Sequence, residues 1–139
     1  MQLDLTAKEF RRLLDLVYIG NWVLNSTREN DRIPDYDLVE EKVFALAAEQ
    51  GMGSVCENVE GRIYPSRAYE EGGIHEAIAK YEDDIFFDLL AENLARRDLG
   101  YPETADEESY RELTERMEAY LSEFDLHGLD RVTVESDEL

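Results

Sequence analysis

The amino-acid sequence predicts a mainly α (α+β) domain: about five helices around one core, with a small two- or three-stranded β element. Three observations predict it. Apolar residues recur at three- and four-residue intervals over four long stretches, the period of a helix with a buried face. Helix-start residues (Thr, Asp, Pro) precede these stretches and glycines follow most of them, the usual order of helix punctuation. Only two short segments, 55–64 and 129–134, alternate between apolar and polar residues, as half-buried strands do. The 139 residues, 43% of them hydrophobic, suffice for a real core. The expected organisation is one helical domain over 1–134 and an acidic tail over 135–139.

The first helix is expected over 7–28. Thr6 and Glu9 have capping-box spacing, so each side chain can satisfy an N–H left open at the helix start. Phe10, Leu13, Leu14, Val17, Asn21 and Leu24 share one face, and Leu16, Ile19 and Val23 form a second apolar stripe. A helix apolar over so much of its circumference is expected at the centre of the core. Gly20 costs about 1 kcal/mol relative to Ala inside a helix, so a close neighbour is expected there. In the second helix Pro34 suits the first turn, and Asp35 and Asp37 suit the positive end of the dipole. Leu38, Val39, Val43, Phe44, Leu46 and Ala47 supply its buried side, and Gly51 its stop.

Residues 55–64 are expected to hold one or two short strands around Asn58–Gly61, before a helical turn from Pro65-Ser66 through Tyr69 that Gly72-Gly73 ends. The third helix covers about 74–81. The fourth, nearly continuous with it, covers about 83–99, with Phe86, Phe87, Leu90 and Leu94 on its core face. The fifth opens on a second capping box, Thr104 and Glu107. Its Tyr110, Leu113, Met117, Tyr120 and Phe124 form a narrow seam at 3-4-3-4 spacing. Packing within the domain is one reading of the seam, and a homodimer contact is the other. A final strand through Val132 and Val134 needs a partner, either the 55–64 segment or the same strand of a second subunit.

Thirty-four acidic residues face 14 basic ones, a net charge of -20. Half of it falls in residues 101–139, which carry thirteen acids and three bases. Such a field opposes binding to nucleic-acid backbones and to anionic lipid, where Lys and Arg contacts supply the affinity. It speeds encounter with basic partners. Solubility or a salt-rich habitat is the plainer reading of the same charge. The three lysines against eleven arginines suit a high-salt proteome or a GC-rich genome equally. Cys56 is the only cysteine, so no internal disulfide can form and nothing points to secretion. The first ten residues lack a signal-peptide layout, and no apolar run approaches the roughly 20 residues of a membrane span. A soluble, cytoplasmic protein is expected.

Each candidate for chemistry has a plainer alternative. His75 with Glu82 or Asp83 could hold a hard cation. However, adjacent residues on a helix diverge, and acids at a helix start are stabilised by the dipole alone. His127 suits the open carbonyls of a helix end, and neither histidine lies in an HExxH pattern. Residues 31–37 fail the EF-hand pattern because Tyr36 stands where glycine is required. Cys56 lies between Val55 and Glu57, without the basic neighbour that makes a thiolate. Gly51-Met52-Gly53-Ser54 is no P-loop, since no Gly-Lys-Ser/Thr follows. No catalytic residue, metal site or cofactor is therefore expected.

Two surfaces remain as candidates for a partner. Arg62, Tyr64, Arg67 and Tyr69 form an aromatic and basic cluster of residue types enriched at binding hot spots, with packing onto the helices as the alternative. Glu108, Glu112 and Glu115, accompanied by Glu107 and Glu118, fall on adjoining turns of the fifth helix and can form one acidic stripe.

Two stretches, Leu16-Val17-Tyr18-Ile19-Gly20-Asn21-Trp22-Val23 and Tyr81-Glu82-Asp83-Asp84-Ile85-Phe86-Phe87-Asp88-Leu89-Leu90, resemble those of a group of small acidic bacterial proteins of unknown function. The resemblance implies a bacterial origin and brings no activity, cofactor or site. The expected function is that of a non-enzymatic acidic interaction protein binding a basic protein partner, with no direct nucleic-acid or membrane contact. Two other classes stand beside it. One is a nucleic-acid mimic that occupies the groove of a DNA-binding regulator or nuclease. The other is a small metal-binding protein or enzyme using His75 and nearby carboxylates.

Overall fold

The computed structural model describes residues 2–102 and 106–135. The protein is mainly α with one small antiparallel sheet, the class the sequence predicts. In chain order the elements are α1 (Ala7–Asn25), α2 (Pro34–Glu49), β1 (Cys56–Val59), β2 (Arg62–Pro65), the one-turn α3 (Arg67–Tyr69), α4 (His75–Asp98) and α5 (Glu107–His127). The chain divides into two compact units, Met1–Ala79 and Lys80–Leu139, and each is described by itself.

In the first unit α1 starts on the expected capping box. The Glu9 N–H donates to Thr6 Oγ1 at 3.3 Å, and the Thr6 N–H donates to Glu9 Oε2 at 2.8 Å. The buried stripe of α1 is Leu14, Tyr18, Asn21 and Asn25, one residue per turn. It is narrower than expected: Leu16 and Val23 of the second stripe are 69% and 67% exposed. Gly20 also departs from expectation, since a Cβ built on it meets nothing within 4 Å. The helix ends at Asn25, three residues early, where the chain doubles back so that the Asn25 amide can bond the Ile33 backbone.

Pro34, Asp35 and Asp37 occupy the first turn of α2 as expected. Phe44 and Ala47 are fully buried, but Leu38, Val39 and Leu46, expected beside them, are about half exposed. A helix with a layer on one side only buries a single stripe, and a small unit lacks the second layer that would cover the other face. Strand β1 pairs with β2 from Cys56 opposite Pro65 to Val59 opposite Arg62. The loop is the two residues Glu60 and Gly61, with φ of 53° and 88°. Positive φ at both positions is the turn that matches strand twist, and glycine takes it without strain. Asn58 Oδ1 accepts from the Gly61 N–H at 3.0 Å.

Ser66 caps α3 and delivers Tyr69 to the core, where its ring stands edge-on to Tyr18 at 5.3 Å and to Phe44 at 5.2 Å. Leu14, Tyr18, Phe44, Ala47 and Tyr69 form this core, with Phe10, Val43, Met52, Ile63 and Ile78 around it. Gly72 and Gly73 then break the helical path before α4.

The expected third and fourth helices are one, α4, which begins at the end of the first unit and continues into the second. Residues 74–98 contain no glycine or proline, so nothing interrupts α4, a helix of 24 residues. Ala91 and Ala95 of α4 are buried, as are Leu113 and Phe124 of α5, and Phe87 packs 5.2 Å from the Phe124 ring. These residues fill the second unit, whereas Phe86 and Tyr110, expected in it, are exposed. The N-cap of α5 is Asp106, whose Oδ1 accepts from the Ser109 N–H at 2.7 Å; Thr104 lies outside the described residues. Residues 129–134 form no strand. The Val132 N–H donates to Leu129 O at 2.9 Å, so the chain turns there, and Val132 and Val134 are exposed. The β element is the two-stranded hairpin alone among the described residues. Of the expected tail, only Glu135 lies inside them.

Candidate functional site

Two arrangements in this molecule can engage a partner or ligand: a polar cleft in the first unit and the acidic face of α5 in the second. The cleft grows out of the buried stripe of α1. Asn25 is 1% and Asn21 is 6% exposed, and buried amides require partners. Asn25 Nδ2 donates to Asn21 Oδ1 at 2.8 Å and to Ile33 O at 3.0 Å, while Asn25 Oδ1 accepts from the Ile33 N–H at 2.8 Å. Asn21 Nδ2 donates to Asp37 Oδ1 at 3.0 Å, and Arg32 donates to both oxygens of Asp37 at 2.7 Å. The chain of bonds fixes the turn into α2 and holds Asp37 as a carboxylate. Its hydrogen bond from Arg32, supported by Asn21, outweighs burial and keeps its pKa below the ordinary value.

One turn back on α1, Tyr18 is 6% exposed, and its hydroxyl lies 2.7 Å from His75 Nε2 and 3.4 Å from Glu70 Oε1. A phenol has one proton. If that proton goes to Glu70, then Nε2 carries the imidazole proton and donates to the phenol oxygen. Burial, reinforced by the charges of Glu70 and Glu40, pushes the Tyr18 hydroxyl up to about 12, so it stays protonated. The His75 ring also meets Trp22 edge-on at 4.6 Å.

These groups border a cavity of about 240 Å³ lined by Tyr18, Asn21, Trp22, Ser26, Arg32, Glu40 and Glu70. Glu40 is under electrostatic pressure in this cleft. Burial raises its pKa, and the charges of Asp37 and Glu70 raise it further against the opposing Asn21 amide and Arg32. The sequence reading passed over Asn25, Glu40 and Glu70 and placed Asn21 on an apolar face. The available signal was the pair Asn21 and Asn25, one turn apart in an otherwise apolar stripe.

The residues singled out from sequence separate into three fates. Tyr69 is a correction: at 3% exposure it belongs to the core and cannot meet a partner. Its hydroxyl donates to Asp15 Oδ1 at 2.9 Å. Burial alone would raise the Asp15 carboxyl, but hydrogen bonds from Arg11, Tyr69 and Arg12 hold it below the ordinary value. Arg62 and Tyr64 do share an exposed face of β2, with the guanidinium 5.6 Å from the ring centre. Arg62 is engaged by Glu41 at 2.6 Å and Arg67 by Glu71 at 2.7 Å. Solvent screens exposed pairs of this kind, so both arginines remain exchangeable.

Glu108, Glu112 and Glu115 are all exposed on α5, where Glu112 and Glu115 border one shallow depression and Glu107 and Glu108 another. His75 is drawn to Tyr18 and Trp22, and among the described residues no group of three or more His, Cys, Asp or Glu side chains could hold a metal ion. Burial pushes the Cys56 thiol up, and its Sγ donates to Phe44 O at 3.1 Å, the surroundings of a packed thiol rather than a nucleophile.

Among the described residues no helix is long and apolar enough to cross a membrane. Compared with protein-family models, with curated proteins and with solved structures, the chain matches none.

Proposed function

We propose that this is a non-enzymatic, cytoplasmic interaction protein that binds a basic protein through the acidic face of α5. One observation carries the reading. Glu107, Glu108, Glu112, Glu115 and Glu118 are all exposed, and among the described residues none of them makes an ion pair. The acids that do pair in this unit are Asp84, Glu92, Asp98 and Glu123. Residues 80–139 carry nineteen acids and six bases, so the local arginines cannot neutralise the stripe. Spacing of three and four residues puts Glu108, Glu112 and Glu115 along one side of the helix, where a row of Lys or Arg side chains can meet them together.

Individually, such exposed contacts are worth about 1 kcal/mol or less. Affinity through the stripe is therefore collective and strongly screened by salt. The test is affinity capture from a lysate of the source organism, using the wild type and the triple variant Glu108→Gln, Glu112→Gln, Glu115→Gln. Basic proteins held at about 50 mM salt should be released at about 500 mM, a roughly threefold shorter Debye length, and should be missing from the variant. A set of partners unchanged by both salt and variant would overturn the proposal. A DNA-binding protein among the salt-sensitive captures would narrow it to nucleic-acid mimicry.

A further inference from the structure

We infer that the cleft of the first unit is a binding site for an organic cation of the guanidinium or ammonium class, held between the Glu40 and Glu70 carboxylates and the Trp22 and Tyr18 rings. The site is lined by residues of the first unit alone and does not rest on the α5 reading. Three features of the cleft point the same way.

Size comes first. A cavity of about 240 Å³ falls short of the roughly 300–1,000 Å³ of clefts that take drug-sized ligands, and suits a single side chain or a small amine. Charge comes second. Glu40 and Glu70 line the cavity and Asp37 stands beside it, against the single positive charge of Arg32. Arg32 is already committed to both Asp37 oxygens at 2.7 Å; its charge also acts on Glu40, but among the described residues neither Glu40 nor Glu70 makes an ion pair. Glu70 accepts only the long 3.4 Å bond from Tyr18 among the described residues. An anionic ligand would meet two repelling carboxylates, and a neutral one would leave them unneutralised.

The walls come third. Trp22 and Tyr18 line the same cavity, and aromatic faces attract cations, tryptophan most strongly. A planar guanidinium can also take two carboxylate oxygens at once. The cleft is prepared rather than improvised. Tyr18 and Asn21 are each 6% exposed and are fixed through His75 and through Asn25 and Asp37, so binding need not order them.

Trp22 is the only tryptophan, so its fluorescence reports on this cleft in the intact protein. The full chain would be titrated at constant ionic strength with N-acetyl-arginine amide, N-acetyl-lysine amide, guanidinium chloride and the uncharged isostere N-acetyl-citrulline amide. A saturable change with the cationic probes and none with citrulline is expected. Saturation by guanidinium chloride alone supports the site and assigns it to the cation itself. A requirement for the amino-acid amides supports it and assigns it to a peptide side chain. Glu40→Gln and Glu70→Gln should each weaken binding about tenfold, the usual consequence of losing one charge-assisted contact, while Glu57→Gln, at an exposed position of β1 outside the cleft, leaves it unchanged. An equal response to arginine and citrulline probes, a response that never saturates, or full affinity in both cleft variants would overturn the inference. The outcome is independent of the capture experiment, whose variants lie on α5.

Discussion

Asn25→Ala should be among the most damaging single substitutions in the first unit, although it removes only a polar side chain. Asn25 is 1% exposed and makes three hydrogen bonds, to Asn21 Oδ1, Ile33 O and the Ile33 N–H, at 2.8, 3.0 and 2.8 Å. Ile33 is the N-cap of α2 and brings no capping side chain of its own, so the Asn25 amide is what fixes the entry to that helix. Alanine leaves the Ile33 N–H, the Ile33 carbonyl and Asn21 Oδ1 short of a partner. Each stranded group costs about 1–3 kcal/mol. With partial access of water at Ile33, the sum is about 3–5 kcal/mol, a large share of the roughly 5–15 kcal/mol that holds a typical domain folded.

The assay is urea unfolding followed by Trp22 fluorescence, which lies in the same unit, and by far-UV circular dichroism. Asn30→Ala, an exposed turn position, is the control and should stay within about 0.5 kcal/mol of wild type. A loss below about 1 kcal/mol for Asn25→Ala would refute the argument that this amide organises the turn into α2.

Three further outcomes follow from the packing and the charges. Gly20→Ala should raise stability by about 1 kcal/mol and the melting temperature by about 2–5 °C, since the added Cβ enters open space; a loss in differential scanning calorimetry would show an unseen close neighbour. Tyr69→Phe should cost about 1.5–3 kcal/mol in denaturant unfolding through the lost bond to the Asp15 carboxylate, whereas a partner-binding role alone would leave stability unchanged. The pH response should split by sign. Asp15 and Asp37 are held below their ordinary values, so the stability they contribute is present above the unfolded carboxyl range, about 3.9, and lost as pH falls through their folded values. Glu40 is raised, so its ionisation opposes folding at neutral pH. Glu40→Gln should therefore raise the melting temperature at pH 7, with the gain vanishing towards pH 4, and a gain that is flat with pH would contradict this assignment.

What the sequence made legible was local. The Thr6–Glu9 box, Pro34 in the first turn of α2, the short strands around Asn58–Gly61 and the glycine after α5 all appear as read, because each is decided by residues within a few positions of one another. What it hid was the depth of burial. Leu16, Val23, Leu38 and Leu46 carry the right period but remain exposed, since periodicity tells which residues share a face and not whether a layer covers it. The 129–134 segment failed for a related reason: a strand needs a partner, and alternation in one segment says nothing about whether one lies alongside. Of the candidate sites, the stripe on α5 was readable because a helix alone sets its spacing. The cleft was not, because Glu40 and Glu70 come to Tyr18 from distant parts of the chain through the fold of α2 and the turn before α4.

The acids of this protein therefore divide by their surroundings rather than by their number. Those on α5 are solvated, cost the fold little and act only in company, so any partner they recruit should come and go with salt. In the cleft Glu70 is exposed but Glu40 is half-buried, and the fold carries Glu40 at a cost that a simple exchange to glutamine would relieve. Solubility explains the first kind, since any exposed carboxylate serves it. It does not explain the second, because a half-buried carboxylate adds little to solubility and works against folding. If salt adaptation were the whole reason for the charge, the glutamine variant at position 40 would be more stable and lose nothing. A stabilised variant that no longer responds to a guanidinium probe would instead show that the charge at this position is kept for what it binds.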